Sequence, residues 1–222
     1  MIQGLIFDFD GLILDTEGPV FQSWRELFEE QDCELPFESW AAIIGTNDGL
    51  FDPYSLLEGQ LGRPPDWEAL APKRRERELA LIAGQPILPG VEDYLVGAKR
   101  LGLKLGLASS SSCEWLTGHL SRLGLLAYFD CIRGSDHVER TKPDPSLYVA
   151  ALKCLDLLPH QVIAFEDSPH GIRAAKLAGL FCVAVPNALT RKLPLDHADL
   201  ILNSLNDLTL AELLRKVEAE AS

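Results

Sequence analysis

Short apolar runs alternate with helical patterns along most of this chain, and this alternation constrains its fold more than any other feature. The first run, Gln3–Phe9, is mostly apolar and is followed by Asp10 and Gly11. A run of this kind predicts a strand that is buried on both faces of a sheet. Strands that alternate with helices predict an α/β fold with a doubly wound, mostly parallel sheet. The other predicted strands are Leu103–Ser109, Val162–Phe165, Phe181–Val185, Leu200–Leu202 and a shorter one at Cys131–Ile132.

The helical segments carry start and stop signals. Asp144 before Pro145 predicts the N-terminus of a helix over Pro145–Leu155, since Asp is a good N-cap and Pro suits the first helical position. Ser168 and Pro169 repeat this signal before His170–Ala178, and Gly179 ends that helix. Further helices are predicted over Val91–Leu101, Glu114–Leu123 and Leu208–Glu220.

One part of the chain interrupts the alternation. Between Thr16 and Gln85 the sequence has helical patterns separated by Gly and Pro, and no convincing strand pattern. We therefore predict two domains: residues 1–15 and 86–222 form a Rossmann-like α/β core, and residues 16–85 form an inserted, all-helical cap domain. The helices predicted in the insertion are Val20–Gln31, Pro36–Ile44, Asp48–Leu61 and Trp67–Ile82.

The chain is strongly acidic, with 20 Lys and Arg against 33 Asp and Glu and a formal net charge of −13. This charge disfavours nucleic acid and anionic membranes as partners, because both are polyanionic. No apolar run reaches the ~18 residues of a membrane-spanning helix, and the N-terminal residues lack the pattern of a signal peptide. The sequence shows no long exposed apolar stripe, which favours a monomer.

The cysteines of this chain do not form a recognisable framework. Their number is odd, and none belongs to a CxxC pair. This usage predicts reduced thiols in a cytoplasmic protein. The five residues are Cys33, Cys113, Cys131, Cys154 and Cys182.

Polar residues follow several of the predicted strands at the point where each strand ends. Asp8 and Asp10 close the first strand, Ser109 and Ser110 close the second, and Glu166-Asp167 follow Val162–Phe165. In open parallel sheets, ligands bind beyond the carboxyl ends of the strands. We therefore expect these groups to meet at one edge of the sheet, together with Lys142 from the loop before Pro145–Leu155.

The chemistry of these groups points to phosphoryl transfer. Clustered carboxylates repel one another at neutral pH unless a cation lies between them. Mg²⁺ suits a site that has few carboxylates and accepts a phosphate oxygen from the substrate. Asp carboxylates are known nucleophiles that form aspartyl-phosphates. Because residues i and i+2 of a strand point the same way, Asp8 and Asp10 can address one phosphorus atom.

With these motifs in this order, the chain resembles the haloacid dehalogenase-like superfamily along nearly its full length. The segments that carry the resemblance are Asp8–Thr16 (DFDGLILDT), Leu88-Pro89-Gly90, Lys142–Asp144 (KPD) and Glu166–Gly179 (EDSPHGIRAAKLAG). They are similar to the branch that includes beta-phosphoglucomutase and small-sugar phosphatases with a helical cap.

The resemblance implies a role for each strand-end residue. Asp8 is the nucleophile, and Asp10 protonates the leaving oxygen and then activates the next acceptor. Ser109 and Lys142 bind phosphoryl oxygens, and Ser110 is a further candidate for phosphate binding. The metal ligands for Mg²⁺ are Asp8, Asp10 through its backbone carbonyl, Asp167, and Glu166 either as a ligand or as the partner of one.

Two residues of the predicted cap domain are candidates for contact with substrate. Asn47 lies in a turn, Gly45–Gly49, that resembles the substrate-specificity loop of the family, although Asn47 also suits a helix N-cap. Arg74 belongs to a basic run on the last cap helix, which is otherwise typical of a solvated face.

The function that these features favour is a Mg²⁺-dependent phosphatase acting on a small phosphorylated metabolite such as a sugar phosphate. The alternative is a phosphosugar mutase. The mutase pattern has an arginine in the specificity loop and a histidine five residues after Asp15, where this chain has Val20. A dehalogenase needs neither a metal nor the second aspartate. A non-enzymatic phospho-acceptor or binding module would lack the cap insertion or the nucleophile.

Overall fold

A computed structural model describes residues 1–41, 43–44 and 51–220 of the chain. Within these residues six strands form one parallel sheet with the order β3-β2-β1-β4-β5-β6. The central strand β1 lies between β2 and β4, so the carboxyl ends of these three strands are neighbours. The predicted α/β, doubly wound class is confirmed. The strands are β1 (Gly4–Phe7), β2 (Lys104–Ala108), β3 (Cys131–Arg133), β4 (Val162–Glu166), β5 (Phe181–Ala184) and β6 (Leu200–Ile201).

Helices cover both faces of the sheet, and the alternation of side chains along β1 explains how. Leu5 and Phe7 pack into one apolar cluster, whereas Ile6 points to the opposite face and packs into another. The first cluster includes side chains of α5 (Val91–Arg100), α6 (Cys113–Arg122) and α9 (Leu210–Glu220). The second includes side chains of α7 (Ser146–Leu155) and α8 (Pro169–Leu177).

The sequence signals for α7 and α8 have physical counterparts. The Ser168 side chain accepts a hydrogen bond from the Gly171 N–H at 3.2 Å, as expected of an N-cap. Asp144 accepts from the Ser146 N–H at 2.9 Å, but α7 begins at Ser146, one residue later than predicted. Gly179 follows α8 with a φ of 81°, a backbone conformation that glycine adopts without steric cost.

The described part of the insertion, which precedes α5 in the chain, contains four helices that enclose an apolar cluster of their own. Trp24, Phe28, Trp40 and Leu57 are buried members of this cluster. No strand occurs in the described part of this insertion, as predicted. At its base Leu14 and Ile87 form an antiparallel bridge, so the chain leaves and re-enters the core side by side. The helices are α1 (Glu17–Glu30), α2 (Phe37–Ala41), α3 (Pro53–Leu61) and α4 (Trp67–Ala83).

The cysteine prediction is wrong for two residues. Cys131 and Cys154 form a disulfide, with their Cα atoms 6.2 Å apart. Cys131 begins β3, and Cys154 lies in the last turn of α7, which packs against the same part of the sheet. Their separation of 23 residues carries no signal in the sequence, because only the crossover of α7 brings them together. Cys33, Cys113 and Cys182 are free thiols.

Among the described helices, none combines the length and the apolar character needed to cross a bilayer.

Candidate active site

The carboxyl ends of β1, β2 and β4 bring the predicted polar residues to one edge of the sheet. Phe7 pairs with Leu107 on one side and with Phe165 on the other. Asp8 therefore emerges between the ends of β2 and β4, and its N–H donates to the Phe165 carbonyl at 3.0 Å. The predicted convergence of these residues is present in the structure.

Lys142 connects two of the buried carboxylates. Its Nζ lies 2.6 Å from Asp8 Oδ1 and 2.6 Å from Glu166 Oε1. The side chains of Lys142, Asp8 and Glu166 are only 1%, 6% and 0% exposed. Burial alone would lower the pKa of Lys142, but the two carboxylates outweigh this effect and raise it above its ordinary value. Lys142 is therefore a fixed positive charge beneath Asp8.

Asp8, Glu166 and Asp167 form a buried cluster in which one carboxylate oxygen of each residue lies within 4.8 Å of the others. Burial raises the pKa of Asp8 to about 7, although Lys142 acts in the opposite direction. Burial and the neighbouring Asp8 raise the pKa of Asp167 well above its usual range. One lysine does not balance three carboxylates, so the cluster favours either bound protons or a cation. An all-oxygen donor set of this kind fits Mg²⁺.

Asp167 is oriented by a residue that sequence analysis missed. Asn187 Nδ2 donates to Asp167 Oδ2 at 2.8 Å and to the Gly11 carbonyl at 3.2 Å. Gly11 has a φ of 83°, and a Cβ atom there would collide with the Asp167 carboxylate and lie 2.7 Å from Asn187 Nδ2. Glycine is therefore required where the loop after β1 passes this carboxylate.

Glu166 is held on the buried side of the cluster. The Tyr148 hydroxyl donates to Glu166 Oε1, and burial together with Glu166 raises the pKa of Tyr148 well above its ordinary value. Tyr148 is therefore neutral and serves as a donor. The carboxylate of Glu166 also lies directly against the α carbon of Gly171, where any Cβ would overlap it. These contacts fix Glu166 beside Lys142.

The carboxylate of Asp10 lies apart from this cluster and accepts hydrogen bonds from four side chains. Oδ1 accepts from Thr16 Oγ1 at 2.9 Å and from Trp115 Nε1 at 3.1 Å. Oδ2 accepts from Ser109 Oγ at 3.1 Å and from Ser111 Oγ at 2.7 Å. Ser109 thus contacts Asp10 directly, as does Ser111, which sequence analysis had not selected.

A cavity of about 420 Å³ lies between this edge of the sheet and the helical insertion. Asp8, Asp10, Ser109, Ser110 and Lys142 line its core side. The insertion contributes an apolar and a charged portion to the opposite wall. The insertion residues that line the cavity are Thr16, Glu17, Val20, Trp40, Ile43, Arg75 and Glu78.

The structure does not bring Arg74 into this cavity. Its guanidinium donates to Ser23 Oγ at 3.0 Å, pairs with Glu78 and lies 4.4 Å from the centre of the Trp24 ring. The neighbouring Arg75 lines the cavity instead. Successive residues of a helix point in directions about 100° apart, so one position decides which arginine faces the site. Asn47 lies outside the described residues.

Several residues of the site were not predicted from the sequence, for different reasons. Asn187 follows β5, so the rule that ligands bind beyond strand ends could have found it. Thr16 lies just before α1 and carried no pattern of its own. Tyr148 and Trp115 are aromatic residues within helices, where burial in the core is the ordinary expectation.

The sheet order and the acidic site at its carboxyl edge place the chain among doubly wound α/β enzymes whose site combines carboxylates with a buried lysine. Comparison with known proteins identifies the particular family. The chain belongs to the haloacid dehalogenase-like hydrolase family, whose sequence profile matches residues 5–185.

Individual relatives support this assignment. The chain is 46% identical over 220 residues to the protein named "Putative phosphatase YhcW" of Bacillus subtilis. The match covers 99% of this chain and 100% of the relative. It is 31% identical over 231 residues to the beta-phosphoglucomutase of B. subtilis, covering 97% and 95% of the two chains. The crystal structure of CbbY from Rhodobacter sphaeroides in complex with phosphate superimposes with a TM-score of 0.73 at 32% identity, over 96% of this chain and 99% of that one.

Proposed function

We propose that this protein is a Mg²⁺-dependent phosphatase that hydrolyses a small organic phosphate monoester, such as a sugar phosphate, through an aspartyl-phosphate on Asp8. The observation that carries the proposal is the Asp8 carboxylate on the cavity wall, held 2.6 Å from Lys142, with Asp10 two residues further along. The Bacillus subtilis relative that matches along its full length also carries the name of a phosphatase, which agrees with this activity.

In the first step a carboxylate oxygen of Asp8 attacks the phosphorus atom. A new O–P bond forms, the bond to the leaving oxygen breaks, and Asp10 gives that oxygen its proton. In the second step Asp10 takes a proton from water, and the water oxygen attacks the same phosphorus. The bond from Asp8 to phosphorus then breaks and inorganic phosphate leaves. The sum is one ester and one water converted to one alcohol and one phosphate.

Positive charge at the site lowers the barrier to both steps. Lys142 and the Ser109 hydroxyl bind phosphoryl oxygens, and Ser110 adds a donor on the cavity wall. Asp8, Asp167 and the backbone carbonyl of Asp10 would hold the Mg²⁺, with Glu166 beside them. When bound, the cation neutralises charge on the transferring phosphoryl group.

Residues 16–85 act as a cap domain over the core formed by 1–15 and 86–222. The paired connectors at Leu14 and Ile87 are a compact base on which the insertion can move. An opening and closing insertion admits substrate and keeps bulk water away during the first step. Arg75 and Glu78 are charged cap residues on the cavity wall that meet the substrate, and Asn47 is a further proposed contact.

The remaining parts of the proposal concern the setting in which the enzyme works. We propose a cytoplasmic monomer whose partner is a small phosphorylated metabolite and which binds neither nucleic acid nor membranes. The net charge of −13 supports the exclusion of polyanionic partners.

A phosphate-release assay tests the proposal. A panel of sugar phosphates, nucleotides and small phospho-acids is incubated with and without Mg²⁺, and each sugar-phosphate reaction is also analysed for isomerised product. Asp8→Asn protein is the blank. The matched variant is Asp15→Asn, because Asp15 accepts a hydrogen bond from the Gly18 N–H in the same loop at 2.9 Å.

The proposal predicts Mg²⁺-dependent phosphate release that Asp8→Asn abolishes and Asp15→Asn retains. Isomerised product without free phosphate would make the protein a mutase, despite the apolar Val20 on the cavity wall. No turnover of any member of the panel would contradict the proposed activity.

A further inference from the structure

Four described side chains donate hydrogen bonds to the Asp10 carboxylate. Of these, Trp115 alone has a group that cannot also act as an acceptor. Its indole N–H lies 3.1 Å from Asp10 Oδ1. The other three donors are the hydroxyls of Thr16, Ser109 and Ser111, which can rotate to donate or to accept. An indole N–H can only donate.

The indole ring of Trp115 is fixed on two sides. The His119 ring packs against it edge-on, with the ring centres 4.2 Å apart. The Arg75 guanidinium of the helical insertion lies 5.5 Å from the centre of the indole, and Arg75 in turn pairs with the buried Glu78. Trp115 therefore presents its N–H to Asp10 from a fixed position, and it contacts the core and the insertion at once.

We propose that Trp115 is a positioning residue for Asp10: its indole N–H keeps Oδ1 as an acceptor, so that Oδ2 is the oxygen that carries the transferable proton. The protonated oxygen of a carboxylic acid is the poorer hydrogen-bond acceptor, so a donor that cannot turn away disfavours a proton on Oδ1. Oδ2 lies between Ser109 and Ser111, whose hydroxyls can accept from it. This inference rests on the proposed function, in which Asp10 protonates the leaving oxygen.

The test compares two leaving groups in a Trp115→Phe variant, which loses the N–H but keeps an aromatic ring. One probe is the alkyl phosphate that wild-type protein hydrolyses fastest in the phosphate-release panel, since an alkoxide leaves only with help from an acid. The other is p-nitrophenyl phosphate, whose leaving group needs little protonation. The matched control is Trp67→Phe, because Trp67 Nε1 donates to the Glu58 carboxylate at 2.7 Å within the insertion.

Trp115→Phe is expected to lower kcat/KM for the alkyl phosphate by about 10-fold or more, since general acid catalysis contributes roughly 10²–10⁴-fold. The loss for p-nitrophenyl phosphate should be much smaller, and Trp67→Phe should change neither value. An equal loss for both substrates would reduce Trp115 to a wall of the cavity, and no loss for either would remove its role altogether. Both results leave phosphatase activity of the wild-type protein standing, whereas a wild type without such activity refutes the proposed function instead.

A second measurement does not depend on turnover or on the stability of the Trp115→Phe variant. The indole N–H resonances are recorded by NMR in wild-type protein and in Asp10→Asn. The resonance of Trp115 is expected to shift, because its acceptor loses its charge, while that of Trp67 stays in place. An unchanged Trp115 resonance would contradict the hydrogen bond on which the proposal depends.

Discussion

Lys142 and Asp8 lie 134 residues apart in the sequence, yet Lys142 Nζ donates to Asp8 Oδ1 at 2.6 Å in the buried floor of the cavity. The same ammonium lies 2.6 Å from Glu166. One cation thus links the ends of β1 and β4. Removing it leaves two buried carboxylates without a counter-charge, which links the stability of this edge of the sheet to its chemistry.

Replacing Lys142 by Met should therefore destabilise the metal-free protein by ~3–5 kcal/mol, the typical cost of breaking a buried ion pair on one side. Chemical denaturation followed by circular dichroism measures this cost. The matched control is Lys99→Met, since Lys99 pairs with Asp130 at 2.8 Å at an exposed position, and such pairs contribute about 0–1 kcal/mol. Equal effects of the two substitutions would contradict the buried network described above.

The raised pKa of Asp8 predicts a dependence of stability on pH in metal-free protein. The unfolded chain loses the Asp8 proton near pH 3.8, whereas the folded protein keeps it up to about pH 7. Because the folded state binds more protons in this window, its stability falls as pH rises from about 4 through 7. Thermal unfolding in a chelator should show this fall as the difference between wild type and Asp8→Asn, which lacks the group.

Added Mg²⁺ should remove that fall, because the cation replaces the proton among the carboxylates. Calorimetry in buffers of different ionisation enthalpy should detect proton release on Mg²⁺ binding below pH 7. A wild type that matches Asp8→Asn at every pH, or Mg²⁺ binding without proton release, would contradict the assigned environment of Asp8.

Gly171 offers a test of the packing behind Glu166. A Cβ at Gly171 would overlap the Glu166 carboxylate, whereas at Gly118 in α6 it would meet nothing within 4 Å. Gly171→Ala should displace Glu166 and lower both thermal stability and Mg²⁺ affinity. Gly118→Ala should stabilise the protein by up to ~1 kcal/mol, since alanine is the better helix former. Thermal unfolding and a Mg²⁺ titration of activity measure both variants, and the opposite ranking would refute this close contact.

The parts of the fold that could be predicted from sequence are those fixed by burial and by strand direction. A strand buried on both faces has an apolar sequence, so β1, β2, β4 and β5 were predictable from this pattern. The edge strands β3 and β6 are less buried and were predictable only as shorter apolar segments. Because parallel strands end at the same edge, the meeting of Asp8, Ser109 and Asp167 followed from the order of elements alone. Lys142 could be placed because its loop leads into α7 at that edge.

The details that the sequence did not reveal depend on helix rotation and on side chains that meet from distant segments. The choice between Arg74 and Arg75 is set by how α4 packs on α1, and α4 lacks a clear apolar stripe that would fix its facing side. Trp115 reaches Asp10 only because the rotation of α6 about its axis points the indole ring toward the end of β1. The Cys131–Cys154 disulfide likewise requires the crossover of α7.

The most direct test of the account is to look for the phosphoryl group on Asp8. Wild type, Asp8→Asn, Asp10→Asn and Asp15→Asn are mixed with p-nitrophenyl phosphate and Mg²⁺, quenched in acid, digested and analysed by mass spectrometry. Asp10→Asn is included because an activated leaving group needs no acid, whereas loss of the base slows hydrolysis and makes the intermediate accumulate.

The account predicts one phosphoryl group on the peptide that contains Asp8, at its highest occupancy in Asp10→Asn, present in Asp15→Asn and absent in Asp8→Asn. A phosphoryl group on any other residue, or turnover by Asp8→Asn equal to that of the wild type, would contradict the assignment of Asp8 as the nucleophile.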